Sequence, residues 1–317
     1  MTTTSTPHRG PAAISVAGLT KRYGDRTAVQ ALDLELPTGV VAGFVGPNGA
    51  GKTTTMAMLL GLVRPTGGTG TVLGKPITDP ASYLPKVGAL IETPAFYPAL
   101  SGAENLRMFA TVAGHPTAAV PALLATVGLD GRGDDPYRRY SLGMKQRLGI
   151  AAALLGDPDL LILDEPANGL DPEGVQEMRG LIGRLAGSGR TVLVSSHDLS
   201  ELEQVCNWLV LIDAGRSLYQ GWTRDLLDGA ATGLVVAARD TRHHGTLLDM
   251  LVRRGHRVDF DGDRLVVRLD GGDADAGHVA ASVNQTAFDA GMVLVELSPQ
   301  RTTLEDRYLA MVQGGAR

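Results

Sequence analysis

Cysteine is nearly absent from this chain: Cys206 is the one example among 317 residues. A lone cysteine forms no internal disulfide and offers no thiolate pair to a metal. A reducing compartment is therefore expected, with Cys206 as a small core residue. Long apolar runs are also missing. A membrane-spanning helix needs about 18 or more apolar residues in succession, and Leu160-Leu161-Ile162-Leu163 is a buried-strand pattern far below that length. Residues 1–11 are rich in Thr, Ser and Pro and hold no apolar stretch, which excludes a secretory leader there and predicts a disordered tail. The chain is expected not to cross a membrane, so any role at one requires a partner that does. Positive charge is not in excess either. The formal net charge of −5 argues against nucleic acid as a partner. What remains is an ordinary globular balance, 44% hydrophobic and 20% charged, in a chain long enough for two domains.

The order of patterns describes an α/β protein. Alternation in Ile14-Ser15-Val16 and in Leu32 to Leu36 predicts half-buried strands, and Val40 to Val45 a fully buried one. A glycine-rich loop follows, then a helix from Lys52 to Val63 that Pro65 and Gly67-Gly68 end. Ser101-Gly102-Ala103-Glu104 is a capping-box pattern opening a helix to about Ala113. A second helix is expected from Ser141 to Leu155. Strands at Leu160 to Leu163 and Thr191 to Ser195 alternate with helices at Pro172 to Ala186 and Leu199 to Asn207, implying a largely parallel sheet. Beyond a boundary near Trp222 to Gly233 the order becomes β-α-β-β-α-β plus a final helix. That is the split-βαβ, ferredoxin-like pattern, with Asp261-Gly262 as a hairpin turn. Domains are thus expected at 12–222 and 233–317.

The loop Gly46-Pro47-Asn48-Gly49-Ala50-Gly51-Lys52-Thr53 matches the phosphate-binding pattern G-x-x-x-x-G-K-[ST], between a strand and a helix. Glycines allow the backbone to wrap a phosphate with its N–H groups pointing inward, and the helix start adds the positive end of its dipole. Lys52 supplies a charge for the β- and γ-phosphates, and the Thr53 hydroxyl a ligand for Mg²⁺. Such a cradle could equally serve a kinase or a GTPase. Asp164-Glu165 narrows the choice. The pair ends a core strand, where α/β sheets present ligand groups. Asp164 is placed to hold Mg²⁺, and Glu165 to orient and polarise an attacking water.

Six segments in one order, spanning about residues 14 to 220, resemble the ABC ATPase family. They are the phosphate loop with the adjoining Thr54, Asp164-Glu165, and four further segments. Tyr140-Ser141-Leu142-Gly143-Met144-Lys145-Gln146-Arg147 is similar to the family signature L-S-G-G-Q followed by a basic stretch. Asn168-Gly169-Leu170-Asp171 resembles the D-loop, His197 the switch histidine, and Tyr23 the aromatic that stacks on adenine. Taken alone, Ser141 reads as a helix cap, His197 as structural and Tyr23 as a half-buried aromatic. The resemblance implies that Ser141, Gly143 and Asp171 complete the ATP site of a second ATPase subunit in a head-to-tail dimer. It implies that His197 contacts the γ-phosphate. The fold implied is a P-loop NTPase of ABC type, with a parallel RecA-like core, an antiparallel β subdomain and a helical subdomain over about residues 96–156.

Two departures mark a subgroup. Leu142 and Met144 replace the glycine and glutamine of the common signature, and Glu92 stands where the family carries its Q-loop glutamine. Both resemble the bacitracin-resistance and lantibiotic-immunity exporters, whose Ile-Glu-x-Pro-x-Phe-Tyr-Pro run Ile91 to Pro98 fits. A carboxylate can still reach Mg²⁺, so Glu92 is retained as a candidate ligand. Pro94 to Tyr97 is the candidate contact with a membrane permease. The resemblance implies an ATP-driven exporter subunit on the cytoplasmic face of a bacterial membrane, its cargo an antibiotic, a peptide or another hydrophobic compound. Two alternatives are an ABC ATPase acting on ribosomes or DNA, which would usually carry two cassettes, and a regulator without turnover, against which Glu165 and His197 argue.

The C-terminal stretch offers less chemistry. Asp259-x-Asp261-x-Asp263 lacks the glycine and glutamate of a calcium loop. His243-His244, His256 and His278 lack the spacing of a metal site and read as surface residues. Ser298-Pro299 to Asp306 resembles the end of many exporter ATPases, and the domain reads as a regulatory or dimer-stabilising appendage.

Overall fold

A computed structural model describes residues 12–92, 95–227, 233–269, 273–300 and 303–315. The expected tail at 1–11 and Pro94 lie outside the described residues.

The chain divides into two compact units, one made of the residues up to Thr223 together with those from Met311 on, the other of Arg224–Ala310. The first opens on a long hairpin, β1 (Ala12–Tyr23) and β2 (Arg26–Pro37), turned at Gly24. With β4 (Gly67–Val72) and β5 (Lys75–Pro76) it forms an antiparallel sheet in the order β2-β1-β4-β5. The sequence reading takes Gly67-Gly68 as a helix end; the chain instead enters β4 there. Glycine serves contact in this strand, because a Cβ at Gly70 would stand 2.4 Å from the Ser15 carbonyl.

The second sheet has six strands in the order β10-β9-β3-β8-β7-β6. Its members are β3 (Val41–Val45), β6 (Val87–Leu90), β7 (Leu160–Leu163), β8 (Thr191–Ser196), β9 (Trp208–Asp213) and β10 (Arg216–Trp222). All pairs are parallel except β9 with β10. Strands β3, β7 and β8 are buried along their whole length, as an inner parallel sheet requires. The antiparallel sheet packs on this one through a shared core that joins Ile14, Leu34 and Val72 to Phe44, Met56 and Val210.

Helix α1 (Lys52–Leu59) is shorter than expected. The chain leaves it at Gly61, whose φ of +68° is left-handed. A helical layer follows, with α2 (Gly102–Val112), α3 (Val120–Thr126) and α4 (Leu142–Ala153). The capping box forms as the sequence predicts: Glu104 N–H donates to Ser101 Oγ at 3.2 Å, and Ser101 N–H to Glu104 Oε2 at 2.7 Å. Helices α5 (Pro172–Gly187) and α6 (Leu199–Glu203) complete the run, and α7 (Thr223–Leu227) leads into the second unit. Helix α6 ends four residues before the expected Asn207, and the next apolar segment is β9, which pairs with β3.

Cys206 lies between α6 and β9, 5% exposed, and burial pushes its thiol up from the usual range. Folded protein is therefore expected to resist a thiolate-selective alkylating reagent, and unfolding in denaturant to expose one reactive thiol. Rapid labelling of the native chain would contradict the burial.

The second unit holds β11 (Gly233–Ala238), α8 (His243–Arg253), β12 (Val258–Asp261), β13 (Arg264–Arg268), α9 (Asp273–Asp289), β14 (Leu294–Gln300) and the start of α10 (Leu304–Gly315), as far as Ala310. Its sheet runs β12-β13-β11-β14, antiparallel throughout, which is the order of the split-βαβ arrangement. Leu234, Val236, Leu265 and Val267 meet Leu247, Leu251 and Val283 of α8 and α9 in its core. His244, expected at the surface, is 5% exposed and its Nε2 accepts from Ala238 N–H at 2.9 Å. A histidine at a helix start becomes internal when it satisfies a strand end.

Candidate functional site

The sheet decides what meets. Strand β3 carries the glycine-rich loop at its C-terminal end, β7 carries Asp164 and Glu165, and β8 carries Ser195 and leads to His197. Because β8 lies between β3 and β7, these segments converge at one edge of the sheet.

The loop's glycines answer to close contacts. A Cβ on Gly46 would lie 2.4 Å from the Ile212 carbonyl, and one on Gly51 2.6 Å from that of Ala28. Gly49 and Gly51 are left-handed, at φ +85° and +102°. Gly51 is the N-cap of α1, which delivers Lys52 and Thr53 from its first turn. Lys52 is 6% exposed. Its Nζ donates to Gly46 O at 2.6 Å and lies 3.2 Å from Glu165 Oε1. Thr53 Oγ1 donates to Asp164 Oδ2 at 2.7 Å.

Glu165 is a strained residue. Its φ is +48°, a left-handed conformation that costs a non-glycine residue on the order of 1 kcal/mol or more. Its carboxylate is held between Lys52 and His197, with His197 Nδ1 at 2.9 Å from Oε2. Beside it, Asp198 caps α6 and is held below the usual carboxylate range, chiefly by the Ser200 hydroxyl. Burial, and then the Asp198 charge, push the Glu201 carboxyl up.

These groups open on a cavity of about 380 Å³, lined by Pro47 to Gly49, Gly51 to Thr54, Glu165, Asn168 and His197, together with Arg26 and Ala28. Gly46 and Ala50 are buried behind the loop. Arg26 was not singled out by sequence. It is the first residue of β2, and only the hairpin carries it over Gly49. Tyr23 does not line this cavity. It is 50% exposed at the hairpin tip, with Lys21 Nζ 4.9 Å from its ring centre.

Thr53 and Asp164 offer a hydroxyl and a carboxylate side by side. Hard oxygen donors of this kind fit Mg²⁺, which prefers one or two protein oxygens and completes its shell with water and phosphate. Glu92, exposed at φ +58°, follows β6 just as Asp164 follows β7. Asp164 N–H donates to Leu90 O at 2.8 Å, which ties the two strand ends together. No hydrogen bond among the described residues joins the Glu92 side chain to Thr53 or Asp164.

Ser141, Gly143 and Asp171 lie outside this cavity. Ser141 caps α4, its Oγ accepting from Met144 N–H at 3.2 Å, and Asp171 caps α5, its Oδ1 accepting from Gly174 N–H at 2.9 Å. The two helix starts come together: the Leu142 side chain lies against Gly169, and that of Leu170 against Gly143. Ser141 and Asp171 are exposed. In the helical layer, Phe96 is buried against Phe109 and Tyr137 with ring centres 5.3 and 5.2 Å apart, while Tyr97 is 60% exposed. The fully buried Asn105 fixes this loop, accepting from Tyr97 N–H and donating to Tyr97 O and Ser101 O.

Comparison with known proteins agrees with this geometry. Residues 29–168 match the family model described as "ABC transporter". The chain is 35% identical over 305 residues to the bacitracin transport ATP-binding protein BcrA of Enterococcus faecalis, covering 95% of this chain and 97% of that protein. It is 41% identical over 207 residues to the lantibiotic transport ATP-binding protein SrtF of Streptococcus pyogenes, covering 65% and 90%. A solved ATP-binding subunit of an ABC transporter superposes with a TM-score of 0.60 at 30% identity, covering 68% of this chain and 91% of that one. A phosphate loop, a carboxylate pair and a histidine gathered at one sheet edge, with relatives similar over nearly their full length, place this chain in the family of ABC transporter ATP-binding proteins, whose characteristic activity is ATP hydrolysis.

Proposed function

We propose that this chain powers the export of an antibiotic, peptide or other hydrophobic compound by hydrolysing Mg²⁺-ATP beside a separate membrane permease. The observation that carries the reading is the gathering of Lys52, Thr53, Glu165 and His197 on one cavity, with Asp164 hydrogen-bonded to Thr53. The loop N–H groups and Lys52 bind the phosphates. Thr53 and Asp164 would hold Mg²⁺, which would neutralise phosphate charge, with Glu92 the third candidate ligand. Glu165 accepts a proton from the attacking water, and His197 holds Glu165 in register. Tyr23, exposed at the hairpin tip outside this cavity, is the candidate adenine platform.

The cargo class follows from the bacitracin and lantibiotic transport relatives. No helix among the described residues is long and apolar enough to cross a membrane, which fits a peripheral subunit at the cytoplasmic face. The exposed Tyr97, on a loop anchored by Asn105, is the permease contact we favour. Ser141 and Asp171 are exposed and Gly143 is half-buried, all at helix starts outside the chain's own cavity. That placement favours their use by a second copy, so that two chains share two ATP sites. The second unit serves regulation or stabilises the pair.

Co-expression with the permease from the neighbouring reading frame tests this reading. We expect a detergent-stable complex that Tyr97→Asp weakens while leaving ATP binding by the isolated chain intact. A complex indifferent to Tyr97→Asp would move the permease contact elsewhere.

A further inference from the structure

Ser195 belongs to none of the family segments and is not a cavity ligand. It is fully buried in β8, and its hydroxyl is used twice. Ser195 Oγ donates to Asp164 Oδ1 at 2.5 Å and accepts from Glu165 N–H at 2.8 Å. One hydroxyl has one proton to give, so the arrangement is directional: the proton points at Asp164 and a lone pair at the Glu165 amide. The other Asp164 oxygen is taken by Thr53. Asp164 is thereby gripped from both sides, by the phosphate-loop helix and by β8. The Glu165 amide belongs to a residue in the left-handed region, at φ +48°. Such a conformation persists only where its surroundings hold it, and the bond to Ser195 is one such hold. Alanine at 195 would leave a buried N–H without a partner and let Asp164 turn.

We propose that Ser195 is a positioning residue for hydrolysis, locking the metal-binding carboxylate of Asp164 and the water-activating carboxylate of Glu165 in mutual register through one hydroxyl. The proposal rests on the roles assigned above to Asp164 and Glu165. It concerns orientation, so it separates binding from turnover. Ser195 does not line the cavity at the phosphate loop, and ATP affinity without Mg²⁺ should not depend on it.

The test uses the full chain with Ser195→Ala, Ser195→Thr and Glu165→Gln side by side. For Ser195→Ala we expect kcat to fall at least tenfold while KM for Mg²⁺-ATP rises only several-fold, in step with binding. Binding of a fluorescent ATP analogue should be unchanged in EDTA and several-fold weaker in Mg²⁺. Ser195→Thr keeps the hydroxyl and should restore most of both losses. Far-UV circular dichroism and binding in EDTA confirm that each variant is folded. A Ser195→Ala chain with wild-type kcat and Mg²⁺-dependent affinity, beside an inactive Glu165→Gln chain, overturns the proposal and spares the carboxylate roles. Turnover by Glu165→Gln at the wild-type rate overturns the carboxylate roles and the proposal with them. Equal loss of binding in EDTA and in Mg²⁺ would make Ser195 structural only and also overturn it.

Discussion

Glu165→Gln should reduce steady-state ATP turnover by about 10² to 10⁴-fold, the range that a positioned general base contributes. The substitution keeps the volume of the side chain and its reach toward Lys52 and His197, which lie at 3.2 and 2.9 Å. It removes the charge that takes the proton. Nucleotide affinity should be retained, because the phosphates are held by the loop and Lys52. Phosphate release measured beside equilibrium binding separates the two effects. A variant that still hydrolyses within tenfold of wild type would place the base elsewhere. If two chains share their sites, the same variant in ATP should elute as a dimer in size-exclusion chromatography with light scattering. A monomer in saturating Mg²⁺-ATP would count against the shared site.

Lys52→Ala should act earlier, on binding. The ammonium is 6% exposed, and it lies against the Gly46 carbonyl and the Glu165 carboxylate of its own chain. Truncating one partner of a buried charged contact costs on the order of 2–5 kcal/mol, so affinity for ATP should fall at least about thirtyfold. Hydrolysis should be lost with it. Titration with a fluorescent nucleotide analogue reads the first effect directly. The double variant Lys52→Ala/Glu165→Gln should bind no more weakly than Lys52→Ala, since Glu165 acts after binding. Near-wild-type affinity of Lys52→Ala would assign phosphate recognition to the loop amides alone.

How legible these features are in the sequence depends on how local their physics is. The Gly46 to Thr53 loop is legible because its motif is contiguous in the sequence, although the carbonyls that demand glycine at 46 and 51 belong to the distant Ile212 and Ala28. The Ser101 cap and the Ser141 cap form as expected because a hydroxyl and an amide three residues apart need no distant partner. The Glu92 position is visible only as a departure from a pattern, and the fold places it at the end of the strand beside Asp164 without joining it to Thr53 or Asp164 by a hydrogen bond.

Elements whose existence rests on a neighbour were harder to read. Strand β4 is glycine-rich and looks like a turn until β1 lies across it at a distance only glycine permits. Strand β9, which begins just after the expected helix end at Asn207, is not picked out by the sequence reading; β3 supplies its hydrogen bonds. Arg26 belongs to no motif in the sequence and becomes a cavity wall because β2 folds back over the loop.

The phosphate loop, the Asp164-Glu165 pair and the two-unit order were therefore determined by sequence alone, through contiguous motifs and hydrophobic period. Strand order was not, because non-local pairing has no local signature. That order sets β8 between β3 and β7, brings Lys52 to Glu165, and turns Ser195, an ordinary strand serine in the sequence, into the hydroxyl that joins both carboxylate residues.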